Sequence, residues 1–355
     1  MSSESATLKR AEIKSEYKKY TGRKILFILS SLAIIIIVTG IAAKLGSYKT
    51  TFGEAYSIIW RGFFETPVTS EELVIWNLRL PRILLAVVGG MGFAFAGTML
   101  QGILRNPIAA PFNLGISSFA GLGAIVGIVL FEGLFGFKYT IMLFAFLFAL
   151  IPAFIILGIS RVVKATPETI ILAGVALMFV ATALTSILMY FAESDAARAA
   201  YLWTVGDLSK ADWSSVFVVL AVLVVLSPIL FIKSWDVNAM NAGDEVAKNL
   251  GVNVERVRVF IMIICSVIVA TIVCFTGTIG FVDLVAPHIS RLIVGGDNRF
   301  LVPAAGLFGG ALLVTCDTIA RTIMAPIIIP VGIVTSCIGS PIFLYLIIRR
   351  KKSYW

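Results

Sequence analysis

Residues 259–294 read VFIMIICSVIVATIVCFTGTIGFVDLVAPHISRLIV, and the number of times this stretch crosses an apolar layer decides the architecture. Its first part, 259–282, exceeds the roughly 20 apolar residues that a helix needs to span a bilayer core. Its second part, Leu284–Val294, covers only about half of that core at about 1.5 Å per residue. Outward from this point the same pattern recurs. Apolar runs occupy 25–43, 83–104, 114–135, 139–160, 169–191, 214–232, 301–324 and 327–348. With 259–282 that makes nine full spans and one short piece.

Parity decides what the short piece does. The leader carries Lys9, Arg10, Lys14, Lys18, Lys19, Arg23 and Lys24, and the C-terminus carries Arg349, Arg350, Lys351 and Lys352. Clusters of this kind stay on the cytoplasmic side, so both ends are expected there, and an even number of crossings is needed. Counting 284–294 as a crossing gives ten, and it places 20 of the 29 basic residues inside and 9 outside. The expected fold is therefore all-α and polytopic, with ten transmembrane helices, one of them short at about 284–294. Irregular chain beside a short helix at membrane depth must be buried in protein or line a cavity.

Composition agrees. The chain is 59% hydrophobic and 14% charged, with mean hydropathy +0.99, where soluble domains hold about 25% charged residues. The net charge of +9 is dispersed between apolar spans, without the basic face interleaved with aromatics that a nucleic-acid partner would need. Membrane lipid is the expected solvent and the cell membrane the expected location. Residues 1–24 read as a cytoplasmic basic segment and 25–355 as one transmembrane domain with a cytoplasmic segment at 233–258. The run from Ile25 to Ala43 exceeds the 7–15 residues of a signal-peptide core, so it is expected to be a retained span. Cys265, Cys274, Cys316 and Cys337 all fall in apolar spans and read as small core residues. Gly89, Gly92, Gly97, Gly123 and Gly127 stand at helix-packing spacings.

Two groups of motifs go beyond hydropathy. The first is LRLPR at Leu78–Arg82, GTMLQG ending at Gly102, and RNPIAAPFNLGISS at Arg105–Ser118. The second is GDEVAKNLGV at Gly243–Val252, GTIGFVDLVAPHISRL at Gly277–Leu292, DTIAR at Asp317–Arg321 and PVGIVTSCIGSPIFLYLI at Pro330–Ile347. In this order they resemble the permease subunit of type II ABC importers, the family that takes up iron–siderophore complexes, haem and vitamin B12. The resemblance runs from about Leu73 to Arg350. It implies ten helices with both ends cytoplasmic, a second permease copy or a paralogue, two cytoplasmic ATPase subunits and an extracytoplasmic substrate-binding protein. It implies a metal chelate as cargo, with a ferric siderophore first and cobalamin or haem next. The chain has no GxxxxGK[ST] phosphate loop, so it is expected to be no enzyme and to bind no cofactor, with ATP and Mg on the ATPase subunits.

The resemblance also implies site residues. Gly243, Asp244, Glu245, Ala247, Leu250 and Gly251 match the segment that docks the ATPase. Asn241 suits a cap for that helix and Gly251 a stop. Arg79, Arg82 and Arg321 match arginines that dock glutamates of the binding protein, for which a planar guanidinium fork is suited. Thr166, Pro167 and Glu168 occupy the cytoplasmic gate loop, where the family more often has small hydroxyl residues. Ala110 and Asp283 also depart from the family pattern. Asp283 is expected to cap the short helix, and His288 to be a structural, hydrogen-bonded group. Pro107, Pro111, Pro287, Pro326, Pro330 and Pro341 are expected at helix starts, kinks or breaks. A proton-coupled secondary transporter would require Asp283, Asp317 or Glu168 to titrate, and all three fall at span ends. An intramembrane enzyme lacks both HExxH and GxSxG.

Overall fold

The computed structural model describes residues 3–45, 51–131, 136–162 and 166–348. Arg349–Lys352 and the first part of the gate loop, Lys164 and Ala165, lie outside the described residues. The described residues contain helices and no strand: α1 (Ser3–Lys44), α2 (Phe52–Arg61), α3 (Ser70–Val74), a π-helical turn (Ile75–Arg79), α4 (Leu80–Ile103), α5 (Ile116–Val129), α6 (Phe137–Val162), α7 (Pro167–Phe191), α8 (Ser194–Thr204), α9 (Trp213–Asn241), α10 (Asp244–Asn249), α11 (Val254–Thr276), α12 (Val282–Val294), α13 (Asn298–Thr322) and α14 (Val331–Ile348). Every apolar span read from the sequence contains a helix. Seven helical stretches, in α1, α4, α6, α7, α9, α11 and α13, are long and apolar enough to cross a membrane, while α5 and α14 are shorter apolar helices. Chain between the apolar spans holds α2, α3 and α8 as well; Thr51 and Thr69 start α2 and α3 with capping boxes to Glu54 and Glu72.

Burial sorts the helices into a centre and a rim. In the apolar window of Ser70–Ile103, 83% of residues are buried, against 17% for Pro167–Phe191. So α4, α11 and α13 form the core, while α1, α6, α7 and α9 turn most of their apolar surface outward. Lipid is as apolar as a leucine side chain, so packing in the centre depends on close backbone approach. At Gly90 a Cβ would lie 2.4 Å from the carbonyl oxygen of Gly309, and one at Gly309 would lie 2.5 Å from that of Gly90. This pair of glycines lets α4 and α13 touch along their backbones.

The short helix α12 starts inside the bundle. Phe281 lies against Gly339, two turns into α14, and the Asp283 carbonyl lies against Gly97 of α4. Proline at 287 has no N–H to give to Asp283 O four residues earlier. Gly97 fills that space instead: a Cβ there would fall 2.0 Å from the oxygen, so only an α-hydrogen can be accommodated. Phe281, in the left-handed conformation, is the N-cap of α12, and Asp283 lies in its first turn. The expectation that Asp283 caps this helix is corrected accordingly. Pro287 and Pro341 lie within continuous helices, whereas Pro107, Pro111, Pro326 and Pro330 occupy non-helical chain.

Candidate functional site

The segment expected to dock an ATPase forms α10, a six-residue helix at one end of the bundle. Its N-cap is Gly243 at φ 122°, without a side-chain cap, and Asn241 ends α9 instead. Gly251 follows the helix at φ 85°, a conformation suited to glycine. Ala247 is buried, while Val246 and Leu250 are exposed by 45% and 68%. The helix thus anchors one methyl group and offers two apolar side chains outward.

Asp244, in the first turn, joins α10 to its neighbours. One carboxylate oxygen lies 3.0 Å from Nη2 of Arg258, and the other 3.2 Å from Nη2 of Arg105. Arg258 is buried and donates Nε–H to the carbonyl of Ile103, the last residue of α4, at 3.3 Å. Arg105 has φ 45°, a strained setting for a residue with a Cβ. Beside this cluster, Thr166 caps α7 by accepting the Thr169 amide at 3.3 Å, Pro167 opens the helix, and Glu168 sits in its first turn. Both Arg105 and Arg258 act electrostatically on Glu168. The Thr-Pro-Glu departure in the gate loop is therefore a helix start. The structure brings Arg105 and Arg258 together on Asp244, and Glu168 feels both only as a weaker electrostatic effect. Sequence reasoning singled out neither arginine, although Arg105 opens one of the quoted motifs.

At the other end, Arg79, Arg82 and Arg321 come together. Arg82 donates Nε–H to both oxygens of Asp317 at 2.9 and 3.1 Å, and Nη2 donates at 2.7 Å. Arg321, one turn on from Asp317, places Nε 3.1 Å from the second oxygen. Arg79 donates to the Ala43 carbonyl and, at 3.4 Å, to that of Lys44; Arg321 reaches Ala42 O at 3.4 Å. The last carbonyls of α1, which no helical N–H can reach, thus lie beneath two guanidinium groups. The sequence reading treated Asp317 as a span-end acid and did not see that it holds two of the three arginines.

Between the two ends lies a cavity of about 480 Å³, lined by Phe112, Asn113, Thr204, Thr278, Phe281 and Leu284, and by Ser336 and Cys337 of α14. The lining mixes apolar faces with hydroxyl and amide groups. Cys337 is exposed there, unlike the three buried cysteines, which corrects its reading as a core residue. His288 meets the edge of Phe343 with ring centroids 6.3 Å apart.

Residues 32–349 match the FecCD transport family. A protein of Methanocaldococcus jannaschii, MJ0087, assigned as an ABC transporter permease, is 43% identical over 351 residues, covering 96% of this chain and 99% of its own. The hemin transport system permease protein HmuU of Yersinia pestis is 35% identical, covering 91% of this chain and 96% of its own. The cobalamin import system permease protein BtuC of Halobacterium salinarum is 40% identical, covering 81% and 76%. Among solved structures, an inward-facing ABC transporter assigned to the metal-chelate type superposes with a TM-score of 0.81 at 27% identity, covering 91% of this chain and 99% of that one.

Proposed function

The chain belongs to the FecCD transport family, and from that premise we propose that it is the permease subunit of an ATP-driven importer of a metal chelate. The observation that carries this is the family match over 32–349. The relatives named for hemin, ferric citrate and cobalamin have cargo of one chemical class, a metal held in an organic ligand. A ferric siderophore is the first choice of substrate. The mixed lining of the 480 Å³ cavity suits a chelate of this class, offering weak polar contacts and no fixed charge on the lining side chains named above.

The seven long helices, with α5, α14 and the short α12, make ten crossings and leave both termini in the cytoplasm. Two permease chains, this one with a copy or a paralogue, would enclose the pathway. α10 faces an ATPase groove with Val246 and Leu250, and Glu245 and Gly251 lie on the same exposed segment. The Arg79, Arg82 and Arg321 end faces a binding protein outside the cell. Counted with Asp317, that cluster keeps an excess of two positive charges, which attracts carboxylates. Arg82 and Arg321 are both turned onto Asp317 and all three arginines are largely buried, so the attraction acts through the net charge of the cluster rather than through exposed forks.

The test is uptake into proteoliposomes holding this chain, its ATPase and its binding protein, with and without internal ATP. The expected outcome is ATP-dependent accumulation of a ferric chelate or a corrinoid. Accumulation driven by a proton gradient without ATP would instead favour a secondary transporter.

A further inference from the structure

We infer that Arg105 and Arg258 form a coupler that carries displacement of α10 to the start of α7 and to the cavity wall. The inference rests on the permease reading above and adds residues that the family resemblance did not assign.

The argument begins with the backbone. Glycines at positive φ flank α10 on both sides, Gly243 at 122° and Gly251 at 85°. Nothing lies within 4 Å of where a Cβ on Gly251 would stand. A helix held between two such joints rotates when pushed, and the joints absorb the push. Transmission therefore depends on side chains. The buried methyl of Ala247 fixes depth but has no directional contact. Asp244 has two, to Arg105 and to Arg258.

Each arginine leads somewhere different. Arg258, in α11, is tied to the last carbonyl of α4, so it joins α10 to two of the three central helices. Arg105 opens the irregular chain from 104 to 115, which enters the bundle and lines the cavity with Phe112 and Asn113. This chain is seated on α7: a Cβ at Gly174 would fall 2.6 Å from Asn113 O and 2.7 Å from the Leu114 Cα. A displacement at Arg105 cannot be lost between the irregular chain and α7, because no gap separates them. Glu168, in the first turn of α7, is hydrogen-bonded to Thr166 and feels the same two arginines only as a weaker electrostatic effect. The coupling segment thus meets, through Asp244 and Arg105, the chain that lines the cavity and is seated on α7. The left-handed φ of Arg105 is the kind of backbone strain that persists only where the surroundings impose it.

The experiment uses the complete complex in proteoliposomes and reads chelate taken up per ATP hydrolysed. Arg105→Gln and Asp244→Asn are each expected to lower that ratio by about tenfold, within the usual range of a coupling between sites. The double variant is expected to lose less than the product of the two single losses, because the Arg105–Asp244 contact is removed in both. Arg105→Lys, which keeps the charge and loses the fork, is expected to recover most of the ratio. Should Arg105→Gln fail to assemble, Asp244→Asn reads the same contact from its other side. A ratio like that of the unaltered complex in both single variants would overturn the coupler, as would additive losses or equal losses for Gln and Lys at 105. Absence of ATP-driven uptake by the unaltered complex would overturn the permease reading and the coupler with it.

Discussion

Each end of the bundle holds an aspartate between two arginines, and the two triads differ in how much water reaches them. In Arg82–Asp317–Arg321 the side chains are 7%, 0% and 11% exposed. In Arg105–Asp244–Arg258 they are 33%, 30% and 8% exposed. The chemistry is the same, but the setting reverses the consequence. A buried ion pair is expensive to form and more expensive to break, since removing one partner strands the other charge. A half-solvated pair can break and re-form, because water replaces each contact at small cost. The first triad therefore behaves as a lock on α1, α4 and α13. The second can be worked by an outside force on α10.

The largest effect expected from this contrast is on stability. Asp317→Asn leaves two guanidinium groups facing each other without a counter-charge, and breaking a buried pair in this way costs about 3–5 kcal/mol. Asp244→Asn is expected to cost less than that, because Asp244 and Arg105 stay open to water and only Arg258 is buried. Thermal unfolding of the purified chain in detergent compares the two directly. Equal melting temperatures for the two variants would break the contrast.

The sequence made one kind of information legible and hid another. Hydropathy found the long apolar helices because the bilayer imposes a length on each of them, while the crossing of the short α12 rests on parity alone. The coupling segment and the gate loop were found through resemblance alone. Their partners were missed because Arg105 and Asp244 are 139 positions apart, and Arg82 and Asp317 are 235 apart. No local pattern encodes such a pairing. Asp283 was misread for a different reason. An acid before an apolar run is a sound cap signal, but here Phe281 takes the left-handed N-cap position and the helix begins at Val282, one residue before the acid.

A second expected effect separates the triads by salt. Exposed charges are largely screened beyond about 10 Å at 0.1 M ionic strength and beyond about 3 Å at 1 M, and solvated pairs are screened far more than buried ones. Uptake per ATP is expected to fall as salt rises over that range in the unaltered complex, and to stay flat in Arg105→Gln, where the screened contact is already gone. The melting temperature, governed more by the Asp317 triad, is expected to move little. A parallel fall of uptake per ATP in both proteins would place the salt-sensitive step elsewhere.

The smallest effect sharpens the comparison with a third acid, Asp297, in the turn between α12 and α13. Hydrogen bonds from Arg299, and then from Asn238, pull its carboxyl down to about 2 from an ordinary value of 3.8. Arg299 lies 2.5 Å from it and also stacks on Trp235 of α9, 4.1 Å from the ring centroid. Asn238 donates at 2.8 Å and in turn accepts the Asn298 amide at 2.8 Å. The carboxyl is depressed in the folded state, so its contribution is complete above about pH 4 and is lost as pH falls toward about 2. The pair is partly exposed, so screening holds that contribution below about 1 kcal/mol. Asp297 also caps α13 by accepting the Arg299 amide, and asparagine caps about as well as aspartate. Asp297→Asn is therefore expected to flatten the acid limb of the stability–pH curve while leaving stability at pH 7 within about 1 kcal/mol of the parent. Asp297→Ala, which loses the cap as well, is expected to cost a further 0.5–2 kcal/mol or so at every pH. An acid limb that persists unchanged in Asp297→Asn would assign the loss to another carboxylate and leave Asp297 as a cap alone.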